Sequence, residues 1–411
     1  MRRPAGRLVV AGSLRGGLAV GSDGFVAQLL ADTAALDPGY GLGFGWSRIN
    51  LGPDDGVNDV ALRPDGRIVV AGWTGGDGLV SRLLAVEGTF DPSFGGGDGV
   101  ATAPFGADDS LSGIVLQQDG RVLVSGYRYE ASLSSDGLFA RLLENEGTFD
   151  PAFADGTGGF SEDFGSRSMS VEDIVLQPDG RIVYGGAIET AGNTDILIGR
   201  LLNPQADDDP SFGGGTGRTV IDAGGFDYVS SIAIQPDGKI VAAGARARTP
   251  GAAGDDFAVV RLLPDGLPDP SFSGDGLVTI RIGSDADASS VVLQPNGKIL
   301  VAGGSRGPAG NDDMAVARLR PDGSPDPTFG TGGTVTVDLG GFEDARSVAL
   351  RPDGRIVLAG TTKPASNGSQ DIAVARLLGG DPPEPGPGDP SGPGGAAGTT
   401  ASCAGRPATI V

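Results

Sequence analysis

The stretch "SIAIQPDGKIVAAG", Ser231–Gly244, decides the fold. Two apolar runs flank Pro236-Asp237-Gly238, a sequence typical of a hairpin turn in which glycine supplies the positive φ. Six similar stretches lie elsewhere in the chain at intervals of 54 to 60 residues. A period of this length indicates a solenoid, a propeller or an array of repeats. The seven copies are centred on Gly6, Gly66, Gly120, Gly180, Gly238, Gly297 and Gly354.

One unit, residues 275 to 330, shows the internal pattern. Four short apolar or β-branched runs read as strands: Leu277–Ile282, Ser290–Leu293, Lys298–Ala302 and Met314–Leu319. Turn residues separate them, and no segment has the period of a helix. This pattern predicts an all-β chain in which residues 1–378 form a seven-bladed β-propeller of four-stranded antiparallel blades.

Stacking explains why the stretch is repeated, since a single four-stranded blade cannot bury both of its faces. The chain begins in phase with a third strand, so it supplies 26 strands where seven complete blades would need 28. Either one blade is short or strands near both termini share the closing blade.

An Asp-Pro-x-aromatic motif marks a turn in six of the seven units. Its aromatic residue is expected to fill the gap between blades, and a ligand role for all copies is disfavoured. The copies are Asp37–Tyr40, Asp91–Phe94, Asp150–Phe153, Asp209–Phe212, Asp269–Phe272 and Asp326–Phe329.

An aspartate also precedes an arginine by five residues in six units. At this odd spacing the two side chains point to opposite faces of a strand, so we expect ion pairs between strands or blades. The pairs are Asp77/Arg82, Asp136/Arg141, Asp195/Arg200, Asp256/Arg261, Asp313/Arg318 and Asp371/Arg376, with Asp23/Gln28 in the first unit.

Acidic loops precede the second strand of most units, and clustered carboxylates can hold Ca²⁺. We favour solvated turns for Asp54-Asp55, Asp108-Asp109, Asp227 and Glu343-Asp344. Asp285 and Asp287 are the best metal candidates, because two carboxylates lie one residue apart on a short loop. We expect this binding to be weak.

Composition excludes several classes of function. The formal net charge of −22 makes nucleic acid or an anionic membrane an unsuitable partner, and no apolar run is long enough to span a bilayer. The chain has no histidine and one cysteine, Cys403, which excludes Ser-His-Asp and Cys-His sites and an intramolecular disulfide. We find no motif for an organic cofactor, predict no catalytic residue, and expect a monomer.

The segment 379–411 is rich in glycine and proline and reads as a linker or disordered tail. The units before it resemble the delta-60 repeat, a bacterial family expected to form β-propellers. The resemblance rests on Val348–Ile356, Asp371–Leu377 and Asp326–Gly330. The last eleven residues resemble the lead-in to RTX-type calcium-binding repeats of secreted bacterial proteins. These resemblances imply the front part of a longer exported protein, at the cell surface or outside the cell.

Three functions remain open from the sequence. The first is a non-enzymatic extracellular scaffold or binding module that takes a protein or glycan ligand. The second is a polysaccharide-acting lyase or hydrolase, and the third is a structural cell-surface spacer. The residues that depart from the repeat, and would mark a site, are Trp46, Trp73, Tyr127–Glu130 and Arg246–Arg248.

Overall fold

The computed structural model describes residues 2–3, 7–15, 21–30, 32–103, 108–129, 134–162, 168–190, 193–248, 254–307, 310–364 and 370–377. Seven antiparallel sheets follow one another along the chain, with strands adjacent in the order of the sequence. The chain is a seven-bladed β-propeller, and the predicted fold class is confirmed. Two compact units divide it, Met1–Ile221 and Asp222–Val411, and each is described by itself.

The first unit contains four four-stranded sheets. One-turn 3-10 segments lie before the last strand of each, at Gly41–Gly43, Gly95–Gly97, Ala154–Gly156 and Gly213–Gly215. The strands are β1–β4 in sheet 1 (Arg2–Arg3, Arg7–Arg15, Ser22–Leu30, Trp46–Ile49), β5–β8 in sheet 2 (Asp55–Leu62, Ile68–Thr74, Asp77–Leu83, Val100–Ala103), β9–β12 in sheet 3 (Asp109–Leu116, Val122–Tyr129, Ser135–Leu142, Gly159–Glu162) and β13–β16 in sheet 4 (Met169–Leu176, Ile182–Thr190, Asn193–Leu201, Arg218–Ile221).

The second unit contains two four-stranded sheets and one with three described strands. The strands are β17–β20 in sheet 5 (Asp227–Ile234, Ile240–Ala247, Asp255–Leu262, Leu277–Ile280), β21–β24 in sheet 6 (Ala286–Leu293, Ile299–Arg306, Asp312–Leu319, Thr334–Val337) and β25–β27 in sheet 7 (Gly341–Leu350, Ile356–Pro364, Asp371–Leu377).

The repeated hairpin forms as the sequence predicts. Gly238 has φ +84° between β17 and β18, and the Asp237 carboxylate accepts a hydrogen bond from the Lys239 backbone N–H at 3.3 Å. The strand after the turn is buried from Ile240 to Ala245 because sheets cover both of its faces. Each sheet therefore depends on its neighbours for its core.

The strand order within each repeat differs from the predicted one. The Leu277–Ile282 stretch was expected to begin a blade, but Leu277–Ile280 pairs with Asp255–Leu262 as the last strand of sheet 5. The strand pattern is local, whereas the sheet to which a strand belongs depends on pairing partners that the pattern does not specify. Sheet 7 is the short one among the described residues, and sheet 1 gains the two-residue strand Arg2–Arg3.

A buried ion pair recurs in sheets 2 to 6, and its partner differs from the aspartate five residues upstream. Arg82 Nε lies 2.7 Å from Asp91, the aspartate of the Asp-Pro motif, and its guanidinium lies 4.7 Å from the centre of the Phe94 ring. Ion pairing therefore recurs, but the prediction that it joins strands or blades is wrong for these pairs, because Asp91 lies in the turn that follows the strand of Arg82. The aromatic residues are buried as predicted. The equivalent sets are Arg141/Asp150/Phe153, Arg200/Asp209/Phe212, Arg261/Asp269/Phe272 and Arg318/Asp326/Phe329.

The first strand of sheets 2 to 7 carries a β-bulge, and in sheets 2, 5 and 6 a side chain just after the bulge hydrogen-bonds to the next sheet. The Asp59 carboxylate, just after the bulge of β5, accepts the Ile114 backbone N–H of β9 at 3.0 Å. In the second unit Ser231 Oγ accepts from the Val291 N–H at 3.3 Å, and Ser290 Oγ from the Val348 N–H at 3.2 Å. The bulge thus places side chains at equivalent heights in successive sheets.

The predicted tail, 379–411, lies outside the described residues, as does Cys403. Among the residues that are described, no helix has the length and apolar character required to cross a lipid bilayer.

Candidate functional site

The first strands carry two rows of residues, which we call the bulge row and the upper row. Val57 and its equivalents are buried, so the residues on either side of them face the opposite side of the strand. The bulge row consists of Asn58, Ser112 and Glu172 in the first unit and Ser230, Ser289 and Arg346 in the second. The upper row consists of Gly56, Ser110 and Ser170, and of Tyr228, Asp287 and Asp344.

In the first unit the rows are bordered by aromatic side chains from the second strands. Trp73 lies against Gly56, where an added Cβ would come within 2.1 Å of the indole ring. Tyr127 hydrogen-bonds with Ser110, and its ring lies 5.3 Å from that of Tyr129. Glycine at position 56 therefore allows the indole to lie flat across the first strand, with part of its surface accessible.

The polar groups of this unit form a connected set. Asn58 Nδ2 donates to the Leu111 carbonyl at 2.9 Å and approaches Ser110 Oγ at 3.3 Å. Burial, together with the nearby charge of Asp173, raises the pKa of Asp59 to about 7. Burial also raises the pKa of Glu172. Burial thus favours the protonated form of both Asp59 and Glu172 relative to a carboxyl group in water.

In the second unit the same rows hold a charged cluster. Arg346 Nη2 lies 2.7 Å from Asp344 Oδ2, and the Arg346 side chain is 65% exposed. Gly304 makes room for two carboxylates, because a Cβ there would lie 3.0 Å from Asp344 Oδ1 and 3.6 Å from Asp287 Oδ1. Burial raises the pKa of Asp344 to about 6, against the lowering effect of Arg346. This cluster offers acceptors and one exposed cation to a ligand.

The predicted metal ligands Asp285 and Asp287 have different surroundings. Asp285 Oδ1 accepts the Asp255 backbone N–H at 2.7 Å, and Oδ2 lies 3.5 Å from Arg306 Nη1. Asp287 lies in the upper row beside Gly304 and Asp344. Calcium binding by this pair stays a prediction.

Several acidic loops are not the solvated turns that the sequence favoured. Asp55, Asp109, Asp227 and Glu343 are buried, so this interpretation is wrong for them. Asp55 Oδ2, for example, accepts backbone N–H groups of its own loop from Leu51 at 2.7 Å and Gly52 at 3.0 Å. These hydrogen bonds compensate the carboxylate for its loss of hydration.

A third acidic group that sequence reasoning missed lies in the second unit. Carboxylate oxygens of Asp313, Asp338 and Glu343 lie within 4.8 Å of one another and could ligate a metal ion. Glu343 also accepts hydrogen bonds from the Thr362 hydroxyl at 2.7 Å and the Leu339 backbone N–H at 3.1 Å. Asp313 belongs to β23, whereas Asp338 and Glu343 follow β24, so no local motif joins the three.

The residues that depart from the repeat do not form one cluster in the described part of the structure. Trp73 and Tyr127 occupy matching positions opposite the upper row, whereas Trp46 begins the last strand of sheet 1. Arg248 pairs with Asp256 at 2.7 Å. Glu130 lies outside the described residues.

The sheets and their repeated buried clusters define a β-propeller repeat protein. Six segments match the family model described as "Domain of unknown function (DUF5122) beta-propeller": residues 63–94, 117–153, 177–203, 235–272, 294–329 and 351–379. The match supports the predicted β-propeller repeat family. The delta-60 name and the RTX-like tail stay interpretations of the sequence.

No curated protein matches the chain. Among solved structures, a puromycin hydrolase is similar with a TM-score of 0.50 and 14% identity, over 90% of this chain and 50% of that one. A protein from Lactobacillus plantarum gives a TM-score of 0.46 and 11% identity, over 89% and 94% of the two chains. A polysaccharide lyase, Uly1, gives 0.47 and 11%, over 91% and 88%. The chain spans half the length of the puromycin hydrolase, and at this identity that likeness shows the fold alone.

Proposed function

We propose that the chain is a non-enzymatic binding scaffold whose ligand contacts the bulge and upper rows of the first unit. The observation that carries this proposal is a contrast between repeats of one chain. The buried Arg–Asp–Phe set is the same in sheets 2 to 6, whereas the bulge row changes from Asn58 to Glu172 to Arg346. A repeat protein that keeps its interfaces and varies one surface is suited to recognition.

The chemistry of the first unit favours a glycan as the ligand. Indole and phenol rings supply flat apolar surfaces for the faces of sugar rings. The Asn58 amide and the Glu172 carboxyl supply hydrogen-bonding groups for hydroxyls beside Trp73 and Tyr127. A protein ligand is the alternative, and it would use the Arg346 cluster of the second unit.

We place this activity outside the cell or at its surface, within a longer secreted bacterial protein. Support comes from the resemblance of the repeats and tail to bacterial exported proteins. The high negative charge accords with a soluble surface that rejects anionic partners. The proposal includes weak calcium binding at Asp285 and Asp287.

A glycan array probed with the purified chain tests the proposal. We expect a restricted set of glycans to bind, and Trp73→Ala to weaken binding about tenfold, because a stacked ring contributes on the order of 1–2 kcal/mol. Trp46→Ala is the matched control, since it removes an indole from the same unit at another place. Absence of any glycan or protein ligand would favour the structural spacer instead.

A polysaccharide-acting enzyme is the second candidate, because one observation favours it. The pKa of Asp59, about 7, suits a general acid near neutral pH, and Tyr127 and Glu172 belong to the same unit. New reducing ends or unsaturated products, lost in Asp59→Asn and retained in Asp207→Asn, would overturn the non-enzymatic proposal.

A further inference from the structure

The last turn of sheet 1 carries two large apolar side chains that the other sheets of its unit lack. Leu42 is 73% exposed and Phe44 71% exposed. The equivalent residues are Gly96 and Asp98 in sheet 2, Asp155 and Thr157 in sheet 3, and Gly214 and Thr216 in sheet 4.

Leu42 also occupies a backbone conformation that disfavours leucine. Its φ is +56°, in the left-handed region, where Gly96 has φ +76°. Glycine adopts this region without the Cβ clash that leucine meets. An exposed apolar side chain in a strained conformation lowers stability and gains nothing from packing in a core. We therefore look for its role in contacts with a ligand.

These side chains form one wall of a cavity of about 430 Å³. Trp46 and Phe90 line it as well, so three aromatic rings and Leu42 border this open cavity. The volume falls in the range of small-molecule sites, and aromatic lining is typical of them.

The charges at the cavity favour a cation. Glu87 and Arg48 both line it, but the Arg48 guanidinium is already paired with Asp23. Within the described ranges, no arginine or lysine forms an ion pair with Glu87, whose side chain is exposed. Aromatic faces attract cations, and the net charge of −22 adds a favourable long-range field.

We propose that this cavity binds a small organic cation with an apolar body, such as a quaternary ammonium that carries an aryl or alkyl group. The cation lies between the aromatic rings and Glu87, and the apolar body contacts Leu42 and Phe44. This site is separate from the bulge and upper rows and does not depend on the function proposed for them.

Titration with benzyltrimethylammonium tests the charge requirement, with phenylacetate as the anionic probe of similar shape. Calorimetry and the fluorescence of Trp46 in a Trp73→Phe background report binding. We expect the cation to bind and phenylacetate not to bind, and Glu87→Gln to weaken the cation about fivefold. Glu146→Gln is the matched control, since Glu146 is the equivalent residue of the next sheet and should leave affinity unchanged.

A second variant tests the wall. Leu42→Gly with Phe44→Asp installs the turn residues of sheet 2, so we expect a melting temperature at or above that of the wild type. The same variant should lose at least tenfold in affinity for benzyltrimethylammonium. Each of four results would overturn the proposal. Two concern the wild type: equal binding of both probes, or no binding of the cation at 10 mM (about the weakest affinity of interest for a single small ligand). Two concern the variants: unchanged affinity in Glu87→Gln, or wild-type affinity in the double variant.

Discussion

The fold shifts the pKa of two sets of carboxyl groups in opposite directions. One set belongs to the Asp-Pro turns, and the other belongs to the first strands of the sheets. Burial alone would raise the pKa of Asp269, but hydrogen bonds from Ser271 and the charges of Lys239 and Arg261 hold it well below its usual range. At Asp59 burial and a second carboxylate prevail, and the pKa rises to about 7.

The difference lies in the partners rather than in the residue type. Asp269 lies 2.7 Å from Arg261 and 3.2 Å from Lys239. Asp59 has backbone N–H donors, and its nearest charged influence is Asp173. One set of aspartates therefore stabilises the fold in its ionised form, while the other destabilises it when ionised.

The largest expected effect is on acid stability of the whole chain. Folding lowers the pKa of five aspartates of the Asp-Pro turns: Asp91, Asp150, Asp209, Asp269 and Asp326. Their contribution to the free energy of unfolding is therefore present above the unfolded pKa of about 4 and is lost as pH falls below it. Asp59 acts with the opposite sign and favours folding below pH 7. Urea midpoints from pH 2 to 9 should therefore peak in mild acid and fall steeply below about pH 4. A midpoint that does not change between pH 4 and 2 would contradict this account.

Next in size is Arg261→Gln, which places the residue of sheet 1, Gln28, in sheet 5. We expect a loss of about 3 kcal/mol, because Asp269 keeps its burial and loses its buried cation. The Phe272 ring also loses a guanidinium 4.5 Å from its centre. Arg281→Gln, at an exposed position, is the control and should change the free energy of unfolding by less than about 0.5 kcal/mol. Equal effects of the two variants in urea titrations would remove the distinction between the regions.

Asp59→Asn should stabilise the protein by about 1 kcal/mol at pH 8, where the ionised carboxylate is disfavoured. Its folded pKa lies above the unfolded value, so the gain is complete above pH 7 and shrinks as pH is lowered to 4. Unfolding at three pH values measures this, with Asp207→Asn as the exposed control. A gain that is the same at pH 4 and pH 8 would show that the effect does not arise from titration.

The smallest effect is expected for Gln28→Arg, which supplies sheet 1 with the cation it lacks. Asp37 already pairs with Arg7, and a second guanidinium must be desolvated beside Tyr40. A change below about 1 kcal/mol in either direction follows from this balance. Thermal unfolding measures it, and a gain as large as the loss in Arg261→Gln would show that the desolvation cost is small.

The repeat made the fold accessible from sequence, since turns such as Asp237-Gly238 and the apolar strands after them are local signals. The pairing of Arg82 with Asp91 was missed, although both recurred. A signal existed, because Arg and the Asp-Pro motif are nine residues apart in three repeats and eight in two. This near-constant spacing between the arginine and the Asp-Pro motif could have predicted that the two residues pair.

The candidate site was harder to predict because it depends on bulges and on glycines opposite them. Trp73 was noticed as a departure from the repeat, but its contact with Gly56 arises from strand register. Asp285 and Asp287 are neighbours in sequence, yet their carboxylates have different partners. Asp313, Asp338 and Glu343 come together from separate segments.

Sheets 3 and 4 share a half-buried network that has no equivalent among the described residues of the other repeats, and it bears on how sheets recognise their order. Arg218 pairs with Glu162 and Asp208, and Tyr184, fully buried, hydrogen-bonds with Arg218. Interchangeable interfaces invite docking of the wrong neighbour during refolding, as in other repeat proteins. Exchanging sheet 4 for another would leave the half-buried Glu162 without its cation, so we expect this network to make out-of-order assembly unfavourable.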